Sequence, residues 1–391
     1  MRKICVVTGY RSDYTKLKSV IKSIEANADL DLQIVVFGAH LLSDYGTSVN
    51  DIESDGFKIS FKCSTTVEGD SPLIMSKSVG LAIIELTAAF ERLEPDVVLI
   101  VGDRHEILAA SIAATVGNIP VAHIQGGEVS GTIDEIIRHA ITKLSHIHFP
   151  STRLSAKRIL LMGENPQHIF NVGCPAVDHI KSTQYVMRGD LKKLRGLSRL
   201  KIDLERPYFI LVQHPVTTNY KKAGHQVEIT LEALQEIGIQ TVLIYPNPDA
   251  GSEKMITTIR KYKRKYGKQS VVKNMYKNIC FDSYLNLLKH STCLVGNSSS
   301  GIREAHVLGT PVVNIGNRQE NRERTSNIID TNYNKNQIVQ AVRTQIKLGK
   351  IKCENKIYGD GTAGESIADI LSKIELDCIV QKSLHGDDYK C

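Results

Sequence analysis

Residues 96–101 read DVVLIV, one acidic residue followed by five consecutive apolar ones. A strand with one wet face alternates polar and apolar residues, whereas a strand apolar on both faces must be covered from both sides. Such a run belongs at the centre of a parallel sheet with helices packed above and below it. The surrounding chain has the matching periodicity. Residues 4–8 read as a strand, 14–26 as a helix with Leu17, Val20, Ile21 and Ile24 on one face, and 32–37 as the next strand. Helical patterns at 43–54, 76–92, 107–117 and 132–144 alternate with strands at 121–124 and 146–149. This alternation is the mark of parallel βαβ units. By about residue 170 one complete α/β half has been spelled out.

A second half follows. Strands are expected at 208–213, 240–245, 270–272, 293–295 and 311–315, with helices at 227–237, 253–266, 281–290 and 301–308. Residues 183–207, rich in Arg, Lys and Leu, read as the connector. A chain of 391 residues exceeds one ordinary core and suits two domains. We place the first at 1–172, completed by a returning C-terminal helix at 364–378, and the second at 173–363. Neither half carries the GxGxxG fingerprint of dinucleotide binding, which argues against a dehydrogenase.

Composition narrows the partners. Lys and Arg total 49 against 42 Asp and Glu, a net charge of +7 that is scattered along the chain, so no nucleic-acid partner is expected. The run Lys261-Tyr262-Lys263-Arg264-Lys265 reads as a solvated helix end. A weak positive balance is still compatible with steering an anionic nucleotide. The eight cysteines form no CxxC, and Cys5 and Cys293 sit inside apolar runs. Neither a disulfide framework nor a zinc site is expected, and the compartment reads as reducing. The N-terminal apolar run is too short for a signal-peptide core, and no apolar stretch is expected to approach membrane-spanning length. A cytoplasmic location follows as the expectation.

In open parallel sheets, ligands bind beyond the carboxyl ends of the strands. The first such loop is Gly9-Tyr10-Arg11-Ser12-Asp13-Tyr14-Thr15. A strand-closing Gly followed by Arg and hydroxyl residues can hold an anion, or it is a plain turn with Asp13 capping the helix. The second is Gly102-Asp103-Arg104-His105-Glu106, directly after the apolar run. Four ionisable residues there are costly unless they face a cleft. Arg104 suits a phosphate and Asp103 a base or a sugar hydroxyl; the alternative is a structural Asp–Arg pair. The third spans His123 to His139, with a Gly126-Gly127 turn and Thr132-x-x-Glu135 as a capping box. Asp134 falls in the first helical turn with Arg138 one turn on. The helix dipole and Arg138 both favour its ionised form, as suits a general base or an ordinary first-turn carboxylate.

In the second half, Pro215 stops a strand and leaves His214 at its rim beside Thr217 and Thr218, as a phosphate ligand or a structural histidine. Asn247 occupies the matching rim of the next strand. The most specific segment is Gly296-Asn297-Ser298-Ser299-Ser300-Gly301-Ile302-Arg303-Glu304. Three serines and a glycine between strand and helix make a phosphate cradle at a positive helix end, and Glu304 suits the paired hydroxyls of a ribose. Arg318 is placed to close the same pocket. The Walker pattern GxxxxGK[ST] is absent. These loops together offer a pocket for a diphosphate, a ribose and a sugar. No metal is required, because Arg11, Arg104, His214 and the helix amides offset the charge.

With these residues in view, the chain resembles the hydrolysing UDP-N-acetylglucosamine 2-epimerases, in particular the epimerase half of the animal bifunctional epimerase/N-acetylmannosamine kinase and its bacterial sialic-acid counterparts. The resemblance runs from about residue 3 to residue 374. It rests on GEVSGTID (127–134), RHAITKLSH (138–146), QHPVTT (213–218), PNPDAGS (246–252), GNSSSGIRE (296–304) and KIYGDG (356–361). It implies an α/β, GT-B-like fold of two Rossmann-like domains with the active site in the cleft between them. It implies no metal, no cofactor and a homodimer or homotetramer. The implied reaction converts UDP-N-acetylglucosamine and water to N-acetylmannosamine and UDP, the first step of sialic-acid biosynthesis, by elimination and rehydration. Carried over by position, Arg11, Thr15, Arg104, His214, Asn247, Ile279, Ser298, Ser299, Glu304 and Arg318 would bind UDP. Asp103, Gln125, Glu128, Asp134, Arg138 and His214 form the implied catalytic set.

Two positions depart from that family. Gln125 stands where many relatives, the animal enzyme included, place a Glu. Gln exchanges no proton at neutral pH, so acid/base duty there passes to Glu128, Asp103 or water, or the chain is slow or inactive. Thr257 stands where the animal enzyme has one of its arginines for feedback by CMP-sialic acid, although Arg260 remains. Three alternatives stay open: a hydrolysing epimerase of UDP-diacetamido-trideoxyhexose in legionaminic-type pathways, a GT-B glycosyltransferase, and a UDP-sugar sensor without turnover.

Overall fold

The computed structural model describes residues 1–351 and 356–385. The first lobe runs β1 (Arg2–Thr8), α1 (Arg11–Glu25), β2 (Leu30–Phe37), α2 (Val49–Ser54), β3 (Phe61–Cys63), α3 (Pro72–Leu93), β4 (Val97–Val101), α4 (His105–Val116), β5 (Val121–Ile124), α5 (Ile133–Leu144), β6 (Ile147–Phe149) and α6 (Arg153–Leu161), and α7 (Pro175–Ser182) then bridges to the second lobe, packing on α1. Its strands pair in parallel in the order β3-β2-β1-β4-β5-β6. The DVVLIV run is β4, buried throughout. Val97, Leu99 and Val101 pack toward α1, while Val98 and Ile100 pack toward α3 and α4, so both faces are covered as the sequence demands.

The second lobe runs β7 (Tyr208–Val212), α8 (Ala223–Ile237), β8 (Gln240–Ile244), α9 (Ser252–Tyr266), β9 (Val272–Tyr276), α10 (Phe281–His290), β10 (Cys293–Gly296), α11 (Glu304–Val307), β11 (Val312–Ile315), β12 (Ile328–Thr331) and α12 (Lys335–Leu348). Its sheet is also parallel, ordered β12-β11-β10-β7-β8-β9. Counted from each lobe's first strand, the two orders are the same doubly wound order. The connection reverses between β1 and β4 and again between β7 and β10, the points where such sheets bind ligands. The last helix, α13 (Ala363–Lys373), returns to the first lobe and adds Ile367, Ala368 and Leu371 to the core beneath α1.

Several expectations are corrected. The helix expected at 76–92 begins earlier, because the Ser71 hydroxyl accepts the Ile74 N–H and Pro72 fits the first turn. So extended, α3 is long and apolar enough by length and composition to cross a bilayer, contrary to the expectation that no stretch approaches that length. Here it lays Ala82, Leu86, Ala89 and Phe90 into the core of the first sheet. Residues 183–207 are no slack connector, since Leu191, Leu197, Leu200 and Ile202 are buried against the second sheet. The helix expected at 301–308 is broken into a 3₁₀ turn, Ser299–Gly301, and the four-residue α11. The polar tail after residue 380 is docked as far as His385: Lys382 Nζ reaches Glu164 and the Ser145 carbonyl, each at 2.6 Å, and the His385 N–H reaches the Gly163 carbonyl at 3.0 Å. The remainder of that tail lies outside the described residues. Cys5, Cys63, Cys174, Cys280, Cys293 and Cys378 are free; Cys353 and Cys391 lie outside the described residues.

Candidate functional site

Both reversal points open into one cleft between the lobes. All ten residues expected to bind UDP line it, as do Asp103 and Asp134. Gln125, Glu128 and Arg138 do not line it.

On the first-lobe wall, α1 starts after an extended Tyr10 without a side-chain cap, so Asp13 is not the cap. Asp13 is instead buried in the first turn, where burial pushes its carboxyl up to about 6. Arg11 reaches across the cleft, donating to the carbonyls of Lys277 at 2.5 Å and Tyr245 at 3.3 Å. Lys16 lines the cleft and was missed by sequence reasoning. Its signal was helical spacing, since Lys16 is i+4 from Ser12, which also lines the cleft. Burial, reinforced by Arg303, lowers its ammonium to about 8.

Arg104 is already paired, with Glu106 at 2.8 Å and with Asp249 of the second lobe at 2.9 Å. Burial would lower it, but those carboxylates outweigh burial and hold it protonated. Any phosphate therefore competes with them.

The expected Asp134–Arg138 pairing does not form. Arg138 turns inward, donates to the Glu128 carbonyl at 2.9 Å and pairs closely with Asp103. Asp134 stays at the cleft, its side chain 26% exposed, and faces Arg318 of the second lobe at 3.5 Å. The capping box is also altered. Thr132 caps the Asp134 N–H at 3.3 Å, but Glu135 reaches back to the Ser130 N–H at 2.6 Å rather than to Thr132. Glu128 is held by Arg303 and, at 3.1 Å, by Arg322. Burial alone would raise its carboxyl; the two guanidiniums outweigh that and hold it below the usual range. Gln125 sits with left-handed backbone (φ 66°), buried, its Nε2 donating to Cys174 Sγ at 3.2 Å and its Oε1 without a partner.

On the second-lobe wall, Gly296 has φ 131° and a Cβ there would collide with the Val212 carbonyl, so only glycine lets β10 end so close to β7. That approach lets Asn297 clamp His214, accepting its N–H at 2.7 Å and donating to its carbonyl at 2.9 Å. His214 Nδ1 accepts the Asn247 N–H at 3.1 Å. Burial, with Arg318 nearby, keeps the ring neutral, which leaves the proton on Nε2. His214 is thus a hydrogen-bond donor and does not offset charge as expected. The Ser300 hydroxyl pairs with Tyr284 at 2.6 Å, and Ser298 accepts the Ser300 N–H at 3.3 Å. Because α11 is a single turn, the expected helix dipole contributes little, and hydroxyls and turn amides carry the cradle. Glu304 is buried with Oε2 unpartnered, and burial raises its carboxyl. An acceptor so placed fits a pair of hydroxyl donors. Among the described residues no cluster of metal-ligating side chains occurs.

The family profile described as UDP-N-acetylglucosamine 2-epimerase matches residues 22–372. The chain belongs to the UDP-N-acetylglucosamine 2-epimerase family. Within this family, a Legionella pneumophila relative named UDP-N,N'-diacetylbacillosamine 2-epimerase (hydrolyzing) is 37% identical over 376 residues, covering 96% of this chain and 97% of its own. The Neisseria meningitidis UDP-N-acetylglucosamine 2-epimerase is 34% identical, covering 96% of each chain. A Campylobacter jejuni relative named GDP/UDP-N,N'-diacetylbacillosamine 2-epimerase (hydrolyzing) is 35% identical, covering 85% of each. Among solved structures, the Methanocaldococcus jannaschii UDP-GlcNAc 2-epimerase in complex with UDP-GlcNAc and UDP matches with TM-score 0.79 at 21% identity, covering 95% of this chain and 99% of that one. That level of likeness carries the fold: α/β, GT-B-like, with two Rossmann-like sheets.

Proposed function

We propose that this UDP-GlcNAc 2-epimerase relative is a hydrolysing enzyme, and that its substrate is a UDP-diacetamido-trideoxyhexose of the legionaminic type. The observation that carries hydrolytic cleavage is the cleft itself, with carboxylates at one wall and hydroxyls, amides and Glu304 suited to a nucleotide at the other. The choice of sugar rests on two relatives, at 37% and 35% identity, whose names specify diacetylbacillosamine and hydrolysis. This places the alternative reading above the sialic-acid one. UDP-N-acetylglucosamine, giving N-acetylmannosamine, is the second reading, supported by the Neisseria relative at 34% and by an Escherichia coli relative at 31% named polysialic acid biosynthesis protein P7.

The chemistry has a physical order. The C1–O bond to the diphosphate breaks and its electron pair leaves with UDP, building oxocarbenium character at C1. A carboxylate takes the C2 proton, and that C–H pair becomes the C1–C2 double bond. Water then adds at C1 while a proton returns to C2 from the opposite face. Asp134 is the proposed base, because it reaches the cleft without a cation on its own helix to hold it. Asp103, oriented by Arg138, is the proposed partner at the sugar. His214 Nε2, Ser298, Ser299 and Arg318 would stabilise the leaving diphosphate, and Glu304 the ribose. We assign the sugar chemistry to a domain of residues 1–172 completed by α13, UDP binding to residues 173–363, and the location to the cytoplasm. Self-association as a homodimer or homotetramer would cover apolar side chains left exposed on α3, α4 and α5, among them Leu73, Ile84, Val116 and Ile136.

The test is kcat/KM with both UDP sugars, following UDP release. A preference of about 10-fold or more for the diacetamido sugar is expected, the scale that one or two sugar substituents provide. The reverse preference would select the second reading, and turnover of neither would sink both.

A further inference from the structure

We infer that Arg322 is a positioning residue that couples closure of the second lobe over the nucleotide to the placement of Asp103. This rests on the function proposed above. Arg322 belongs to the loop after β11 and is buried. Its Nη2 lies 3.4 Å from Asp103 Oδ2 and its Nη1 3.1 Å from Glu128 Oε2, both in the first lobe. Arg303, also from the second lobe, pairs with the same Glu128 oxygen. Neither arginine lines the cleft, so neither is placed to touch substrate.

The two carboxylates differ in what they lose if the lobes part. Asp103 keeps Arg138 of its own lobe, whereas both guanidiniums paired with Glu128 come from the other lobe. Buried ion pairs give little net stability, because desolvation offsets their attraction. A cluster of two carboxylates and three arginines is therefore better explained as an orienting device. Arg322 keeps its charge in that crowd: burial and Arg303 lower it only to about 10.

The same loop reaches the nucleotide side. Arg318, four residues earlier, lines the cleft, and its carbonyl accepts the Gly131 N–H at 3.3 Å. A Cβ on Gly131 would collide with the Asn317 carbonyl, so the loop is seated against the first lobe as closely as a backbone permits. Whatever draws Arg318 toward a phosphate also seats Arg322 on Asp103. Nucleotide binding and carboxylate placement thus share one short segment.

The experiment compares full-length wild type with Arg322→Gln by three readouts: UDP affinity by calorimetry, kcat and KM on whichever UDP sugar the wild type turns over, and compaction on adding UDP by small-angle X-ray scattering. UDP affinity and KM are expected to stay within about threefold, kcat to fall about 100-fold, and the UDP-driven compaction to shrink. Arg322→Lys, able to reach one carboxylate but not both, should fall between, and millimolar guanidinium should partly rescue the Gln variant. A kcat within twofold of wild type, or a loss of UDP affinity matching the loss of kcat/KM, would overturn the inference. Should Arg322→Gln fail to fold, Arg322→Lys carries the same three readouts, with a smaller fall in kcat and a smaller loss of UDP-driven compaction expected. A wild type inactive on both sugars would defeat the proposed function alone. The scattering comparison then decides, with unchanged compaction in Arg322→Gln ruling the coupling out.

Discussion

The two walls of the cleft follow opposite electrostatic rules. On the first lobe three carboxylates at or just behind the opening meet guanidiniums: Asp103 meets Arg138 and Arg322, Glu128 meets Arg303 and Arg322, and Asp134 meets Arg318. On the second lobe two cleft groups are left for a ligand to complete: His214 carries no charge, and Glu304 Oε2 has no hydrogen-bond partner. Fixed charges are useful where charge develops during a reaction, because they need no reorganisation at that moment. Unpaired donors and acceptors are useful where a ligand of constant structure binds, since binding completes them. The contrast supports the proposal of proton chemistry at one wall and nucleotide binding at the other.

Four outcomes break or sharpen that contrast. The largest is expected for Asp134→Asn, which should lower kcat about 10³-fold while UDP affinity by calorimetry stays near wild type. A comparable loss of UDP affinity would blur the two walls. Next, Glu304→Ala should raise KM about 10- to 100-fold, the worth of hydrogen bonds to a charged acceptor, with kcat little changed. A kcat defect at constant KM would move Glu304 to the chemical side. Gln125→Glu tests the wall by a residue behind it. Because Gln125 is buried against Cys174 and does not line the cleft, steady-state kcat should change by no more than about twofold. A large gain would mean that position does reach the sugar.

The smallest effect lies outside the cleft, at the docked tail. Burial would raise the Glu164 carboxyl, but hydrogen bonds from His148, Lys143 and Lys382 hold it at about 2 against an ordinary 4.5. A depressed acid stabilises the fold above its unfolded pKa and loses that contribution as pH falls through the folded value. Wild type should therefore melt a few degrees above Glu164→Gln at neutral pH, with the gap closing between pH 4.5 and about 2. A gap independent of pH in thermal melts would show that packing alone seats the tail.

Much of this was legible in the sequence because it is local. A run apolar on both faces can only be a central strand, and ligands sit where such strands end, which located Arg11, Arg104, His214 and Ser298 without structure. What escaped depends on the other lobe. Spacing of i, i+4 paired Asp134 with Arg138, yet Arg138 went to Asp103 and Asp134 to Arg318. No local pattern encodes a contact made across 219 positions, as between Arg322 and Asp103. The edge strands β3 and β12 also went unread, being only three and four residues long. The broken helix after Ser299 was hidden behind good helix formers such as Glu304 and Ala305.

The central claim, that the carboxylate wall removes the C2 proton while the other holds UDP, is tested most directly by incubating the protein with its UDP sugar in D₂O and following the products by NMR. The account predicts free 2-epimeric sugar carrying deuterium at C2, together with UDP in equal amount. Free sugar that keeps its original hydrogen at C2, or a UDP-sugar pool that stays unchanged, would contradict it.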